Sequence, residues 1–126
     1  MNPSIHVLFV CGRNKRRSPT AERIFGHDPR MRVRAVGLAD TSKRRITEGD
    51  LRWADLVLAM ERKHVKRLLA MFSELEDLPP VENLDITDEF IFMQRELIEM
   101  LESSVAGALE AYHLERIAAE EKASGR

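Results

Sequence analysis

Short apolar runs alternate with stretches of helical periodicity along these 126 residues. Ile5–Val10, apolar except for His6, has the length and character of a buried strand. Pro19–Phe25 predicts a helix with Ala21, Ile24 and Phe25 on one face, and Gly26, Asp28 and Pro29 end it. Val33–Val36 predicts a second short strand, closed by Gly37. Thr47 can cap a short helix reaching about Trp53, and Ala54–Met60 predicts a third strand. Arg62–Phe72 sets Val65, Leu68, Leu69 and Phe72 at helical spacing. Pro79 and Pro80 break the chain before a fourth short strand, Val81–Leu84. From about Phe92 to Glu121 the pattern is helical, with Leu97, Ile98, Leu101, Val105 and Leu109 on one stripe. Ser103, Ser104 and Gly107 leave open whether this is one helix or two, and the last residues are expected to fray.

Strands that alternate with helices predict an α/β fold: a four-stranded parallel sheet with helices on both faces. The length suits a single domain over residues 1–126 with a real core. Ligands bind such sheets at the carboxyl ends of the strands. Cys11 follows the first strand and Asp88 the fourth, so both belong to the same edge.

Composition narrows the class. The 44% hydrophobic content is that of a globular chain. No apolar run approaches the roughly 20 residues of a membrane span, so no membrane partner is expected. The N-terminus begins with a strand and has no signal-peptide pattern. The single cysteine has no internal disulfide partner, and a free thiol suits a reducing cytoplasm. The net charge of −1 hides an uneven distribution. Arg13 to Arg45 holds eleven Lys and Arg against Glu22, Asp28 and Asp40, a balance of +8. Glu74 to Arg126 holds fourteen Asp and Glu against four basic residues, a balance of −10. The basic part surrounds the loop after the first strand, where a positive field would gather anionic substrates. A solvated surface with an acidic C-terminal helix is the plain alternative.

That loop carries the chemistry. Five residues separate Cys11 from Arg17, and Ser18 and Pro19 start a helix. Singly, each piece has an ordinary explanation: a buried small thiol, solvated arginines, a serine N-cap with proline at the first helical position. Together, in this order, they fit covalent phosphate transfer. Cys11 is the nucleophile, and the backbone N–H groups of Gly12, Arg13, Asn14, Lys15, Arg16 and Arg17 bind the phosphate. Arg17 grips two phosphate oxygens with its planar fork. A helix N-terminus and nearby guanidinium groups favour the thiolate over a thiol of ordinary pKa near 8.5, so Cys11 is expected to be mostly ionised. Asn14 fits a position of positive φ. Ser18 either caps the helix or hydrogen-bonds Cys11. Protonating the leaving group needs a carboxyl at the same edge, and Asn83–Phe90 offers Asp85, Asp88 and Glu89. His6, His27, His64 and His113 are scattered, so no metal site and no cofactor are expected. Trp53 and Tyr112 are expected to serve packing.

The Cys-x5-Arg-Ser form of Cys11–Ser18, with Val7–Val10 before it and Ser18–Glu22 after it, resembles the low-molecular-weight protein tyrosine phosphatases. The resemblance extends over most of the chain and is strongest to a shorter bacterial form. It implies a strand order of 2-1-3-4 and a cysteinyl-phosphate intermediate. It also implies a loop shaped by the Asn14 side chain and a Ser18 hydroxyl donated to the thiolate. The family places an Asp-Pro pair and an aromatic residue after strand four. Ile86–Phe90 matches with Glu89 in the proline position, which selects Asp88 as general acid, with Asp85 second. Phe90 then either walls the pocket or joins the core.

The departures matter. Arg16 stands where many longer relatives carry a second cysteine, so oxidised Cys11 lacks an internal disulfide rescue. Thiol-coupled arsenate reduction by this chain alone is not expected for the same reason. Gly12-Arg13-Asn14 differs from the glycine that longer members place just before the asparagine. The tyrosine-rich substrate wall is not evident. The expected activity is hydrolysis of a phosphomonoester, on a phosphorylated protein or a small molecule, with nucleotides and RNA ends left open by the basic segment. Capture of a phosphorylated partner without turnover is the competing reading. Nonspecific nucleic-acid binding ranks last, for want of interleaved aromatics.

Overall fold

The computed structural model describes residues 4–125. Four strands form one parallel sheet: β1 (Ile5–Cys11), β2 (Met31–Gly37), β3 (Leu56–Ala59) and β4 (Val81–Asn83). Their spatial order is β2-β1-β3-β4. The helices are α1 (Arg17–Phe25), α2 (Glu48–Trp53), α3 (Arg62–Met71) and α4 (Arg95–Ala123).

The apolar run of β1 is explained by its central place. It pairs with β2 along its whole length, from Ile5 with Met31 to Cys11 with Gly37, and with β3 from Val7 to Val10. Val7, Leu8, Phe9 and Val10 are fully buried because both faces of the strand are covered. Val7, Phe9 and Cys11 pack with α1 and α4 through Ala21, Phe25, Leu97 and Leu101. Leu8 and Val10 pack with α2 and α3 through Leu51 and Leu68. Helices therefore lie on both faces, and each buried aliphatic or aromatic side chain contributes about 1.5–3 kcal/mol of transfer free energy. This packing fixes the end of β1, from which the Cys11–Arg17 loop departs.

The structure moves several element boundaries. β2 starts at Met31, two residues before the predicted strand, because Met31 and Arg32 continue the ladder with Ile5 and His6. β3 begins at Leu56 instead of Ala54. Ala54 closes α2, its N–H bonding to the Asp50 carbonyl, before the chain turns into the sheet. Thr47 caps α2 as expected, its hydroxyl accepting from the Asp50 N–H while the Asp50 carboxylate accepts from the Thr47 N–H. α1 starts at Arg17 instead of Pro19. Phe92–Gln94 precede the last helix, and 95–123 is one helix through Ser103, Ser104 and Gly107. Its Leu97, Leu101, Val105, Leu109 and Tyr112 form a continuous buried stripe that holds the weaker helix formers in place. The helix continues to Ala123, and Arg126 lies outside the described residues.

Candidate active site

The loop between β1 and α1 curls around the Cys11 sulfur. Asn14 has φ 56°, the left-handed conformation, and its N–H donates to Cys11 Sγ at 3.1 Å. The Gly12 carbonyl accepts from the N–H groups of Leu38 and Ala39 and from the Ser42 hydroxyl, at 3.0, 2.8 and 3.1 Å. The Arg13 carbonyl accepts from the Lys43 N–H at 3.3 Å. The segment after β2 thus takes up the loop's carbonyls. The N–H groups of Gly12, Arg13, Lys15 and Arg16 have no hydrogen-bond partner among the described residues. Free donors beside a buried sulfur and a helix N-terminus are the elements of an anion nest.

Ser18 is not the helix cap. Arg16 occupies that position, without a side-chain cap, and Ser18 is the second helical residue. Its hydroxyl is instead turned to the sulfur. Ser18 Oγ lies 2.9 Å from Cys11 Sγ, 2.8 Å from Asn14 Oδ1 and 3.4 Å from the Val36 carbonyl. A hydroxyl has one proton to give. With a thiol, S–H donates to Ser18 and Ser18 donates to Asn14. With a thiolate, the Ser18 proton turns to sulfur. Asn14 and Ser18 are both buried, so the loop is held by a buried polar network.

Arg17 is buried, and its guanidinium is fixed before any ligand arrives. One terminal nitrogen donates to Glu61 Oε2 at 2.6 Å and to the Ile86 carbonyl at 2.8 Å. Its Nε lies 3.6 Å from Asp88 Oδ1. Burial works to raise the Glu61 carboxyl, but the Arg17 hydrogen bond and charge outweigh it and hold the group below the usual range. The Glu61 N–H donates to Nδ1 of His64 at 3.1 Å, which requires that nitrogen to be unprotonated. The imidazole is neutral, with its proton on Nε2, beside Gly12. Burial first, and then the Arg17 charge, push His64 down to about 4.

A cleft of about 510 Å³ opens over this arrangement. The loop contributes Cys11, Gly12, Arg13, Lys15, Arg16 and Arg17, and α3 contributes Lys63, His64 and Arg67. Asp88 is its one carboxylate. Asp85 does not line the cleft; it is exposed, with φ 58°, in a tight turn in which its N–H donates to Asn83. Phe90 is buried in the core and does not wall the pocket. The basic segment is split. Arg30, Arg34, Arg44 and Arg45 are tied in ion pairs with Asp28, Asp50 and Asp40, while the loop residues face the cleft. Trp53 stacks on His6 under the Arg34 guanidinium, and Tyr112 closes the buried stripe of α4. No group of three metal-ligating side chains occurs among the described residues, and none of their helices is long and apolar enough to cross a membrane.

Sequence reasoning missed Glu61, His64, Lys63 and Arg67. Glu61 lies 44 residues from Arg17, and no local pattern links them. One signal was available: Glu61 follows the end of β3 at the edge where the loops after β1 and β4 also gather.

No family model matches the sequence. No curated protein matches it either. Solved structures do. YwlE arginine phosphatase from Geobacillus stearothermophilus superposes with a TM-score of 0.65 at 22% identity, over 88% of this chain and 96% of that one. SP-PTP, the low molecular weight protein tyrosine phosphatase from Streptococcus pyogenes, gives 0.66 at 18%, over 85% and 92%. A cysteine-to-serine mutant of YwlE arginine phosphatase, with its active-site serine phosphorylated, gives 0.60 at 22%, over 84% and 96%. The chain has the fold of the low-molecular-weight protein tyrosine phosphatases.

Proposed function

We propose that this chain is a cysteine-dependent phosphomonoester hydrolase of the low-molecular-weight phosphatase type, a single domain acting in the cytoplasm through a cysteinyl-phosphate. One observation carries the reading. The Cys11 sulfur accepts from the Asn14 N–H in a loop whose Gly12, Arg13, Lys15 and Arg16 N–H groups are unpaired among the described residues, and the fixed Arg17 guanidinium shares its cleft. The phosphorylated active-site serine of the YwlE mutant supports it, because that protein shares the fold and carries phosphate on the substituted side chain.

In this reading the loop N–H groups and Arg17 bind the dianion and favour the charge that develops on its equatorial oxygens. The Cys11 thiolate attacks phosphorus, held for attack by Ser18 and the Asn14 N–H. The S–P bond forms as the P–O bond to the leaving group breaks. Asp88, exposed at the cleft beside Arg17, gives the departing oxygen its proton. Water then attacks phosphorus, Asp88 accepts its proton, and the S–P bond breaks to release inorganic phosphate and the thiolate. Asp88 is preferred to Asp85 because only Asp88 lines the cleft.

Hydrolysis of para-nitrophenyl phosphate and of an alkyl phosphate tests the assignment. Cys11→Ser should abolish turnover of both. Asp88→Asn should slow the alkyl ester by roughly 10²–10⁴-fold and the aryl ester much less. If Asp85→Asn reproduces that pattern and Asp88→Asn does not, the acid is misassigned.

A further inference from the structure

The cleft holds more positive charge than one phosphoryl group needs. Arg17 and the loop N–H groups already serve the reacting phosphate. Around them stand Arg13, Lys15, Arg16, Lys63 and Arg67, with Asp88 the one carboxylate in the lining. Among the described residues Arg13, Lys15, Arg16 and Arg67 make no ion pair, and Lys63 reaches only Glu61, at 3.6 Å, which is already committed to Arg17. Arg30, Arg34, Arg44, Arg45 and Arg52, outside the cleft, each have a carboxylate within 3.4 Å, whereas Arg23, Arg32, Lys43, Arg62, Lys66 and Lys122 make no ion pair among the described residues; what sets the cleft apart is that its unpaired cations line one concavity. Unmatched cations gathered on one concave wall repel each other, and a second bound anion relieves that repulsion.

The geometry supplies a place for that anion. Lys63 and Arg67 are four residues apart on α3, so they share one face, one turn apart. His64, on the same helix, presents its neutral Nε2–H beside Gly12. A wall with two cations thus rises from the floor where the reacting phosphate sits. The rest of the lining is equally selective by what it omits. It has no phenylalanine, tyrosine or tryptophan side chain to stack on a phenol ring. It has no carboxylate pair for a cationic guanidinium group, which the surrounding cations would repel.

Building on the hydrolase reading, we infer that the substrate is a small bisphosphorylated molecule, one phosphate bound over Cys11 and the second held by Lys63 and Arg67. A sugar bisphosphate and a nucleoside bisphosphate present the same chemistry, and the test separates them. Phosphate release is measured for fructose 1,6-bisphosphate against fructose 6-phosphate, and for adenosine 3′,5′-bisphosphate against adenosine 5′-monophosphate. Para-nitrophenyl phosphate serves as reference. At least one bisphosphate should exceed its monophosphate by roughly tenfold or more in kcat/KM, the worth of an added charge-assisted contact. The pair that shows the preference identifies the scaffold. The combined Lys63→Ala and Arg67→Ala substitutions should bring that ratio towards one, mainly through KM, and added salt should lower it.

Equal kcat/KM for bis- and monophosphates overturns the inference, as does a preference that survives loss of both cations. Faster turnover of a phosphotyrosyl peptide or an RNA 5′-phosphate than of any bisphosphate overturns it in favour of a macromolecular substrate. No turnover of any ester, para-nitrophenyl phosphate included, counts against the hydrolase reading instead. Calorimetric titration of the same bisphosphates against inorganic phosphate then still reads the second-anion preference. Equal affinities in that titration overturn it.

Discussion

Glu61 and His64 set the state of the site before substrate enters. In the proposed reaction Arg17 must be held in one orientation, and Glu61 together with the Ile86 carbonyl holds its guanidinium. Glu61→Gln keeps a hydrogen-bond acceptor but removes the charge. It should lower kcat/KM for an aryl phosphate by up to about 10²-fold, the cost of a slightly misplaced group. Steady-state kinetics, with circular dichroism to check folding, decides this; unchanged kinetics would show that the loop alone aims Arg17. His64 gives a pH prediction. Its folded-state pKa of about 4 lies below its unfolded value near 6.5. The unfolded chain therefore binds more protons in that window, so stability is full above it and falls as pH drops through it. The depressed Glu61 carboxyl extends the loss at its acid end. Urea midpoints near pH 7 and near pH 4.5 should differ more for wild type than for His64→Gln, whose amide can accept the Glu61 N–H without titrating. Cys11, Arg17, Asn14 and Ser18 were legible in the sequence because one short loop carries them in fixed order. Glu61 and His64 were not, because only the fold brings a residue after β3 to a residue after β1.

Among the elements, the Cys11–Arg17 loop is one piece of a larger clasp. β1 and β2 end side by side at Cys11 and Gly37, and the chain after β2 folds back onto the loop's carbonyls. Gly37 permits this approach. A Cβ there would lie 2.2 Å from Ser42 Oγ and 2.8 Å from the Asn14 backbone nitrogen. Gly37→Ala should therefore cost about 1–3 kcal/mol in chemical denaturation, as an overpacked site does, and should disturb the loop that holds Cys11. A variant as stable and as active as wild type would show that the clasp yields freely. The sequence marked Gly37 only as the end of a strand, since nothing local reveals that Ser42 and Asn14 crowd it. The strands were legible in their apolar cores and shifted at their ends. β2 gained two residues from pairing with β1, and β3 lost two to the closing turn of α2. The long helix kept its one direction through Ser103, Ser104 and Gly107 because its buried stripe runs unbroken across them.

Across the whole molecule, charge and topology converge on one edge of the sheet. The +8 balance of the first third overstated the basic mouth, since several of its arginines pair with carboxylates away from the cleft. Lys63 and Arg67, outside that segment, complete it from α3. The parallel order β2-β1-β3-β4 places the loops after β1, β3 and β4 together, and from these come Cys11 and Arg17, Glu61, and Asp88. Alternating strands and helices made the α/β class legible; the strand order came through the resemblance of the Cys-x5-Arg-Ser loop, because periodicity does not determine sheet order. In the proposed reaction phosphate passes through the Cys11 sulfur. Rapid acid quench of wild type during turnover of para-nitrophenyl phosphate, followed by mass spectrometry of the Cys11 peptide, measures this directly. A phosphoryl group should accumulate on Cys11 within the first turnover and disappear as substrate is exhausted. Steady hydrolysis with no phosphate ever on Cys11, or with phosphate on another residue, would contradict it.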